Sequence, residues 1–283
     1  MISELSFKLF GNLTEPHLDY FDTLKTNLKK ADMKTPLHEY VCSMLLYSII
    51  TFIISITAGS VLITFTILYY ILYSYSLAVI LSFIFAGVVF FFGYYYPSIK
   101  AKDIQTKIDR SLPFSVFYMT TTASSGIDPV EIFRMLSLRG GAIGSEAKRI
   151  YNNVKTLGMV LTAAMQKTAT RTPSTAFADL LWGMSSIITA GGDLEAYLIE
   201  KTKTFMAQYV RTLNDYSKQI YIYTEIYITL IIVGTLFFII LISIVAPLIG
   251  VSVLFLQAFL VFFFIPLVSI GFIVLLRTIS PMQ

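Results

Sequence analysis

The side chains able to do chemistry in this 283-residue chain are few, and their spacing assembles no recognisable reaction. It contains two histidines, His17 and His38, and one cysteine, Cys42. One Cys excludes an internal disulfide, and two His offer no metal-ligand spacing. Thr120, Thr121, Thr122, Ser124 and Ser125 crowd one segment, but neither His is near in sequence to serve as their base. Small hydroxylated residues in such a run suit helix packing, and each His reads as a solvated helix residue. The run Gly140-Gly141-Ala142-Ile143-Gly144-Ser145 is glycine-rich. No Lys follows its last Gly, so it lacks the cation that a phosphate-binding loop brings to a nucleotide. There is no His-Glu-x-x-His and no Gly-x-Ser-x-Gly. An intramembrane aspartyl protease would need two acids within apolar spans, and only Glu225 stands at the edge of one. Glu225 reads as an interfacial carboxylate, with a buried contact to another subunit as the alternative. No catalytic, cofactor-binding or metal-binding residue is assigned, and no enzyme is expected.

One charged cluster remains. Arg134, Arg139, Lys148 and Arg149 flank the break at Gly140-Gly141 and form a candidate docking surface. Between Ser98 and Ile220 there are fifteen Lys and Arg against ten Asp and Glu, a net of +5. That excess favours an acidic protein partner or anionic lipid. Nucleic acid is not expected, because no basic stripe with interleaved aromatics is present.

The elements that would carry these residues are helices in and beside a membrane. Hydrophobic residues make up 56% of the chain and charged ones 13%, about half the charge of an ordinary soluble domain. Sixty consecutive positions between Glu39 and Lys100 carry no charge, enough for two spans. These are expected near 44–70 and 76–96, with a turn around Tyr73-Ser74-Tyr75-Ser76 and an end at Pro97. The 51 uncharged positions from Ile226 to Leu276 fit two more, turning at Pro247 to Gly250 and kinked at Pro266. Lys29, Lys30, Lys34, Lys100, Lys102, Lys107, Arg211, Lys218 and Arg277 lie at the outer ends of the spans, and the two turns are uncharged. The positive-inside rule therefore predicts both termini and the central segment in the cytoplasm. A polar stretch of some forty residues precedes the first apolar run, so no cleavable signal peptide is expected.

Before the first span, Leu18, Phe21, Leu24, Leu28 and Ala31 recur at helical spacing with Lys25, Lys29 and Lys30 on other faces. This amphipathic leader either lies on the membrane surface or packs on the central segment. The central segment itself reads as a helical bundle. Leu112-Pro113 opens its first run and Ser125-Gly126 closes it. Asp128-Pro129-Val130-Glu131 is an N-cap, a Pro at the first helical position and an acid at the third. Ser145 starts a longer helix with Ala147, Ile150, Val154, Leu157, Leu161 and Ala164 on one face. Thr172-Pro173 starts the next, striped by Phe177, Leu180, Leu181, Met184, Ile187 and Ile188. Gly191-Gly192 stops it, with positive φ expected at Gly192, and Asp193 caps a helix running unbroken from Leu194 to Ile232.

The ordered set Leu112-Pro113, Ser125-Gly126 with Pro129, a long helix from Glu146 past Gly158, Thr172-Pro173-Ser174, and Gly191-Gly192-Asp193-Leu194 with Leu198 resembles the F domain of type II secretion systems. The resemblance spans Arg110 to Ser243. It implies a membrane platform that couples a cytosolic hexameric secretion ATPase to assembly of a type IV pilus-like or archaellum filament from pilin-like subunits. Many members carry two such domains and one is found here, as in archaeal members. Pairing as a homodimer, or with a related single-domain subunit, is therefore expected, through small residues such as Ala58, Gly59 and Ser60, or Ala86 and Gly87. The alternatives are a small multi-span transporter and a membrane anchor that recruits a soluble partner.

The expected fold is thus an all-α membrane protein with four transmembrane helices in two hairpins flanking a cytoplasmic bundle. Its parts are a leader at 1–43, hairpins at 44–97 and 221–277, and the bundle at 98–220.

Overall fold

A computed structural model describes Ser6, Phe10, Gly11, Thr14, Leu18 and residues 20–33, 35–66, 71–248, 250 and 252–279. His17 and Lys34 lie outside the described residues. Every regular element among the described residues is helical. They run α1 (Asp22–Lys30), α2 (Leu37–Thr66), α3 (Ile71–Ala123), α4 (Pro129–Leu138), α5 (Gly141–Lys155), α6 (Leu161–Ala169), α7 (Thr175–Thr189) and α8 (Leu194–Ile228). A π-helical turn (Thr229–Val233) leads into α9 (Gly234–Leu248), and a second (Leu260–Phe264) joins α10 (Val253–Phe259) to α11 (Ile265–Ile279). Four helical stretches are long and apolar enough to cross a membrane: Leu37–Ser60, Ala78–Ala123, Leu194–Leu248 and Val253–Val274.

By contacts the chain divides into two units, Met1–Lys203 and Thr204–Gln283. In the first, α2 and α3 pack antiparallel. A Cβ at Gly59 would touch Ala78 at 3.6 Å, one at Gly93 would touch Met44 at 3.1 Å, and the Ser48 hydroxyl donates to the Ala86 carbonyl at 3.0 Å. Gly59 therefore serves this pair internally, while a Cβ at Gly87 would meet open space. Tyr73 to Ser76, expected as the turn, belong to the start of α3. Their aromatic and Ser mixture carries no helix stop, so the backbone continues through them.

Helix α3 is 53 residues long, roughly 80 Å, and passes through Pro97 and Pro113 instead of ending or starting there. A proline inside a helix frees the carbonyl four residues back and crowds it. For Pro97 that carbonyl is Gly93, and the Tyr40 hydroxyl donates to it at 2.8 Å. A donor from the neighbouring helix thus replaces the missing N–H, which is how membrane helices accommodate proline.

The rest of the first unit is a bundle built on the far end of α3. Ile108, Leu112, Val116 and Met119 of α3 are buried with Ile132, Phe133 and Leu136 of α4, Ile143 and Ile150 of α5, Met165 of α6, and Phe177, Leu180, Leu181 and Met184 of α7. Each such side chain contributes about 1.5–3 kcal/mol on burial. Helix α5 begins at Gly141, four residues before Ser145, since Gly140 and Gly141 hold φ of 71° and 73° and turn the chain directly. The long helix expected past Gly158 is broken. Gly158 sits at φ 66°, the Met159 N–H donates back to the Asn153 carbonyl at 3.1 Å, and Leu157 on its stripe is 64% exposed.

Leader helix α1 buries Leu24 and Leu28 among Val41, Met44, Phe90 and Tyr94 at the base of the α2/α3 pair. Its apolar face is therefore neither on lipid nor on the bundle. In the second unit, α8 to α11 form another antiparallel pair, marked by Tyr227 stacked on Phe272 at 4.5 Å and hydrogen-bonded to Ser269 at 2.9 Å. Gln257 donates to Ser243 at 3.1 Å near its turn. That turn holds Gly250 at φ 72°, and Pro247 lies inside the end of α9. Pro266 follows directly on the second π-helical turn, which loosens the helix before it. From Leu194 to Leu248 the helix is unbroken apart from the π turn at Thr229–Val233.

Candidate coupling surface

The hydroxyl cluster at the end of α3 is tied to backbone and to α8. Thr121 and Thr122 donate to the carbonyls of Phe117 and Tyr118 at 3.0 and 2.9 Å. Thr120 bonds Thr202 at 2.7 Å, and Ser124 donates to Glu195 at 2.7 Å. These bonds seat the first turns of α8 against α3. The same turns are capped as expected, with the Ala196 N–H donating to Asp193 at 3.1 Å. Positive φ, however, falls at Gly191 (68°) and not at Gly192, whose Cβ would instead meet Ile187 at 3.3 Å. Gly191 ends α7 through its N–H to Ile188, and one left-handed residue suffices for that reversal.

Two caps and one contact position the other bundle helices. Asp128 accepts from the Val130 N–H at 2.9 Å, with Pro129 in the first turn of α4 as the spacing predicts. Helix α7 is capped by Ser174, two residues beyond the expected Thr172 start. The Ser174 oxygen accepts from the Phe177 N–H at 3.0 Å and its hydroxyl donates to Asp109 of α3. The glycine-rich run after α4 cradles nothing: a Cβ at Gly144 would press on the Leu136 carbonyl at 3.3 Å, so that glycine allows α4 and α5 to approach.

The basic cluster proposed for docking is largely engaged within the chain. Arg134 pairs with Glu131, and the Arg139 guanidinium lies 4.3 Å from the centre of the Tyr118 ring. Arg149 bonds Glu146 at 3.3 Å and Asp32 at 2.8 Å. Lys148 is exposed and, among the described residues, is the one of the four without such a contact. The Glu146 carboxyl is buried, and burial pushes its pKa up; Arg149 draws it back, Asp32 raises it further and Arg171 lowers it. Asp32 also binds Arg171 of the α6–α7 turn. Asp32 and Arg171 carry no sequence motif; the one hint was an acid and a base each sitting at a helix end.

His38 is not a solvated residue. Its Nε2 lies 3.1 Å from the Gly11 carbonyl and 2.9 Å from Thr14 Oγ1, and Thr14 in turn touches the buried Cys42 sulfur at 3.3 Å. These contacts fasten the leader to the start of α2. Glu225 is exposed on α8, beside Ile222, Ile226, Thr229 and Leu230. Among the described residues no group of three His, Cys, Asp or Glu could hold a metal ion.

Among the described residues every regular element is helical, four apolar stretches are long enough to cross a membrane, and short capped helices lie between them. Residues 116–242 match the family described as type II secretion system (T2SS), protein F. Among curated relatives, the flagella accessory protein J of Methanocaldococcus jannaschii is 25% identical over 194 residues, covering 68% of this chain and 33% of that protein. An uncharacterized protein of the same organism, MJ1286, is 24% identical over 143 residues, half of this chain and 24% of the relative. The chain thus spans a third or less of the length of the curated relatives it matches. No solved structure matches it.

Proposed function

We propose that this chain is a cytoplasmic-membrane platform for assembly of a type IV pilus-like or archaellum filament, coupling a cytosolic hexameric secretion ATPase to pilin-like subunits in the bilayer. The observation that carries this reading is the continuity of two helices. Apolar helix α3 runs without a break into the family-matched bundle, and α8 leaves that bundle and becomes an apolar helix of membrane length. A push on the bundle then passes straight into α3, with no flexible linker to absorb it. The charge pattern supports a cytoplasmic position for both termini and the bundle, the side on which a cytosolic ATPase would engage it. Pairing with a second copy or a related single-domain subunit belongs to the same reading, with the open flank of Gly87 as the face available to it.

Two measurements test it. Cysteine labelling in a Cys42→Ala background should find Ser125→Cys reactive only from the cytoplasm and Ser252→Cys only from outside. Crosslinking in native membranes should recover a hexameric ATPase together with a pilin-like subunit. Recovery of neither, with filaments intact in a strain lacking the chain, overturns the proposal.

A further inference from the structure

We propose that Asp32 is a releasable latch clamping the leader to the bundle. Helix α1 ends with the Met33 N–H donating to the Leu28 carbonyl at 3.1 Å and the Asp32 N–H to the Lys29 carbonyl at 3.3 Å. Asp32 takes the left-handed position of this helix end, at φ 51°, where glycine is the usual residue. It is the non-glycine residue with positive φ among those described. A carboxylate in glycine's place is explained by what it touches. One of its oxygens meets Arg149 of α5 at 2.8 Å and the other bonds Arg171 of the α6–α7 turn. The left-handed turn is what aims a side chain from the end of α1 at two bundle elements together.

The leader is thus held by two kinds of contact. Leu24 and Leu28 are buried against the α2/α3 pair, an attachment that salt does not weaken. Asp32 instead holds the bundle through charges that water reaches, its side chain being 51% exposed and that of Arg171 40%. The Arg171 Nε is buried with no hydrogen-bond partner among the described residues, so these do not seal the cluster with a full set of hydrogen bonds. Partly exposed pairs are screened by salt and give way to competing charges. Opening the latch frees the bundle from the leader and leaves α1 seated on the membrane pair. The bundle stays joined to that pair through the continuous helix α3, so the latch sets how stiffly the two move together.

Hydrogen exchange on the full chain in mild detergent, at low salt and at about 1 M salt, tests this. An exposed pair shifts an equilibrium by up to about fivefold, so two pairs on one carboxylate predict a rise of roughly five- to twentyfold at high salt. The rise should be confined to Ala31–Met33 and the turn around Arg171, with α5 and α7 unchanged. Asp32→Asn, which keeps a residue tolerant of left-handed backbone, should show the fast exchange already at low salt and no further salt response. Arg171→Gln should fall between the two. Wild-type exchange in Asp32→Asn, or no salt response in the wild type, overturns the latch. So does loss of protection throughout α5 and α7 in Asp32→Asn, since that marks a brace of the bundle core.

Discussion

Substituting Gly183 by Ala tests how α8 is seated. Gly183 lies on α7 opposite Tyr197, in the first turn of α8. A Cβ there would stand 1.9 Å from the Tyr197 hydroxyl oxygen and 2.6 Å from Cζ. Ordinary contact begins near 3.4 Å, so the hydroxyl must retreat by about 1.5 Å and Cζ by about 0.8 Å. The same hydroxyl approaches the Leu180 carbonyl at 3.4 Å, and that contact goes with it. Forcing extra volume into a packed contact costs about 1–3 kcal/mol, against a helix-propensity gain of about 0.5–1 kcal/mol for Gly to Ala. The net expectation is a loss of up to roughly 2.5 kcal/mol. Thermal unfolding of the full chain in detergent, followed by far-UV circular dichroism, reads it. In a Tyr197→Ala background the clash is gone, so Gly183→Ala should there stabilise by about 0.5–1 kcal/mol. This change of sign is the decisive result. Equal destabilisation in both backgrounds would refute the close approach as the cause.

Two further substitutions follow from single contacts. Tyr40→Phe removes the donor to the carbonyl that Pro97 leaves open, and should cost about 0.5–1.5 kcal/mol; in a Pro97→Ala background, where residue 97 supplies its own N–H, the cost should shrink toward zero. Equal costs in the two backgrounds would separate the bond from the proline. Glu146 binds its proton more tightly folded than unfolded, because burial outweighs Arg149. Its contribution is therefore fully present below the ordinary carboxyl range and is lost as pH rises through that range to the raised folded value. Glu146→Gln should flatten the fall in melting temperature as pH rises above the ordinary carboxyl range, and should melt above the wild type once the wild-type carboxyl is ionised. Arg149 keeps Asp32 as a partner in that variant, so no charge is stranded. A pH profile identical to the wild type would refute it.

What was legible in the sequence was local. The Asp128 and Asp193 caps bond their own first turns within two or three residues, and such bonds need no knowledge of the fold. The apolar stripe of α7 likewise follows from one helix facing one core, and Phe177, Leu180, Leu181 and Met184 are all buried as spaced. Span-sized apolar blocks were equally plain, because their length is set by the bilayer and not by partners.

Punctuation residues failed wherever their effect depends on a distant group. Whether a proline ends a helix turns on whether the carbonyl four residues earlier finds another donor. Gly93 finds one 53 positions away, in Tyr40, so Pro97 stops nothing. Glycine is ambiguous in the same manner. Gly191 and Gly158 serve left-handed turns, whereas Gly183 and Gly144 admit a neighbouring atom, and a lone Gly in a helical pattern does not say which. Charges are more ambiguous still. Asp32 reads as one more solvated acid after a leader helix until Arg171, 139 positions on, is brought to it. The four basic residues singled out around Gly140 are ambiguous as well. They are adjacent in sequence, yet the chain's own Glu131, Tyr118, Glu146 and Asp32 take up three of them. A partner drawn to Arg149 would therefore compete there with Asp32 of the leader, a contact that adjacency in sequence does not reveal.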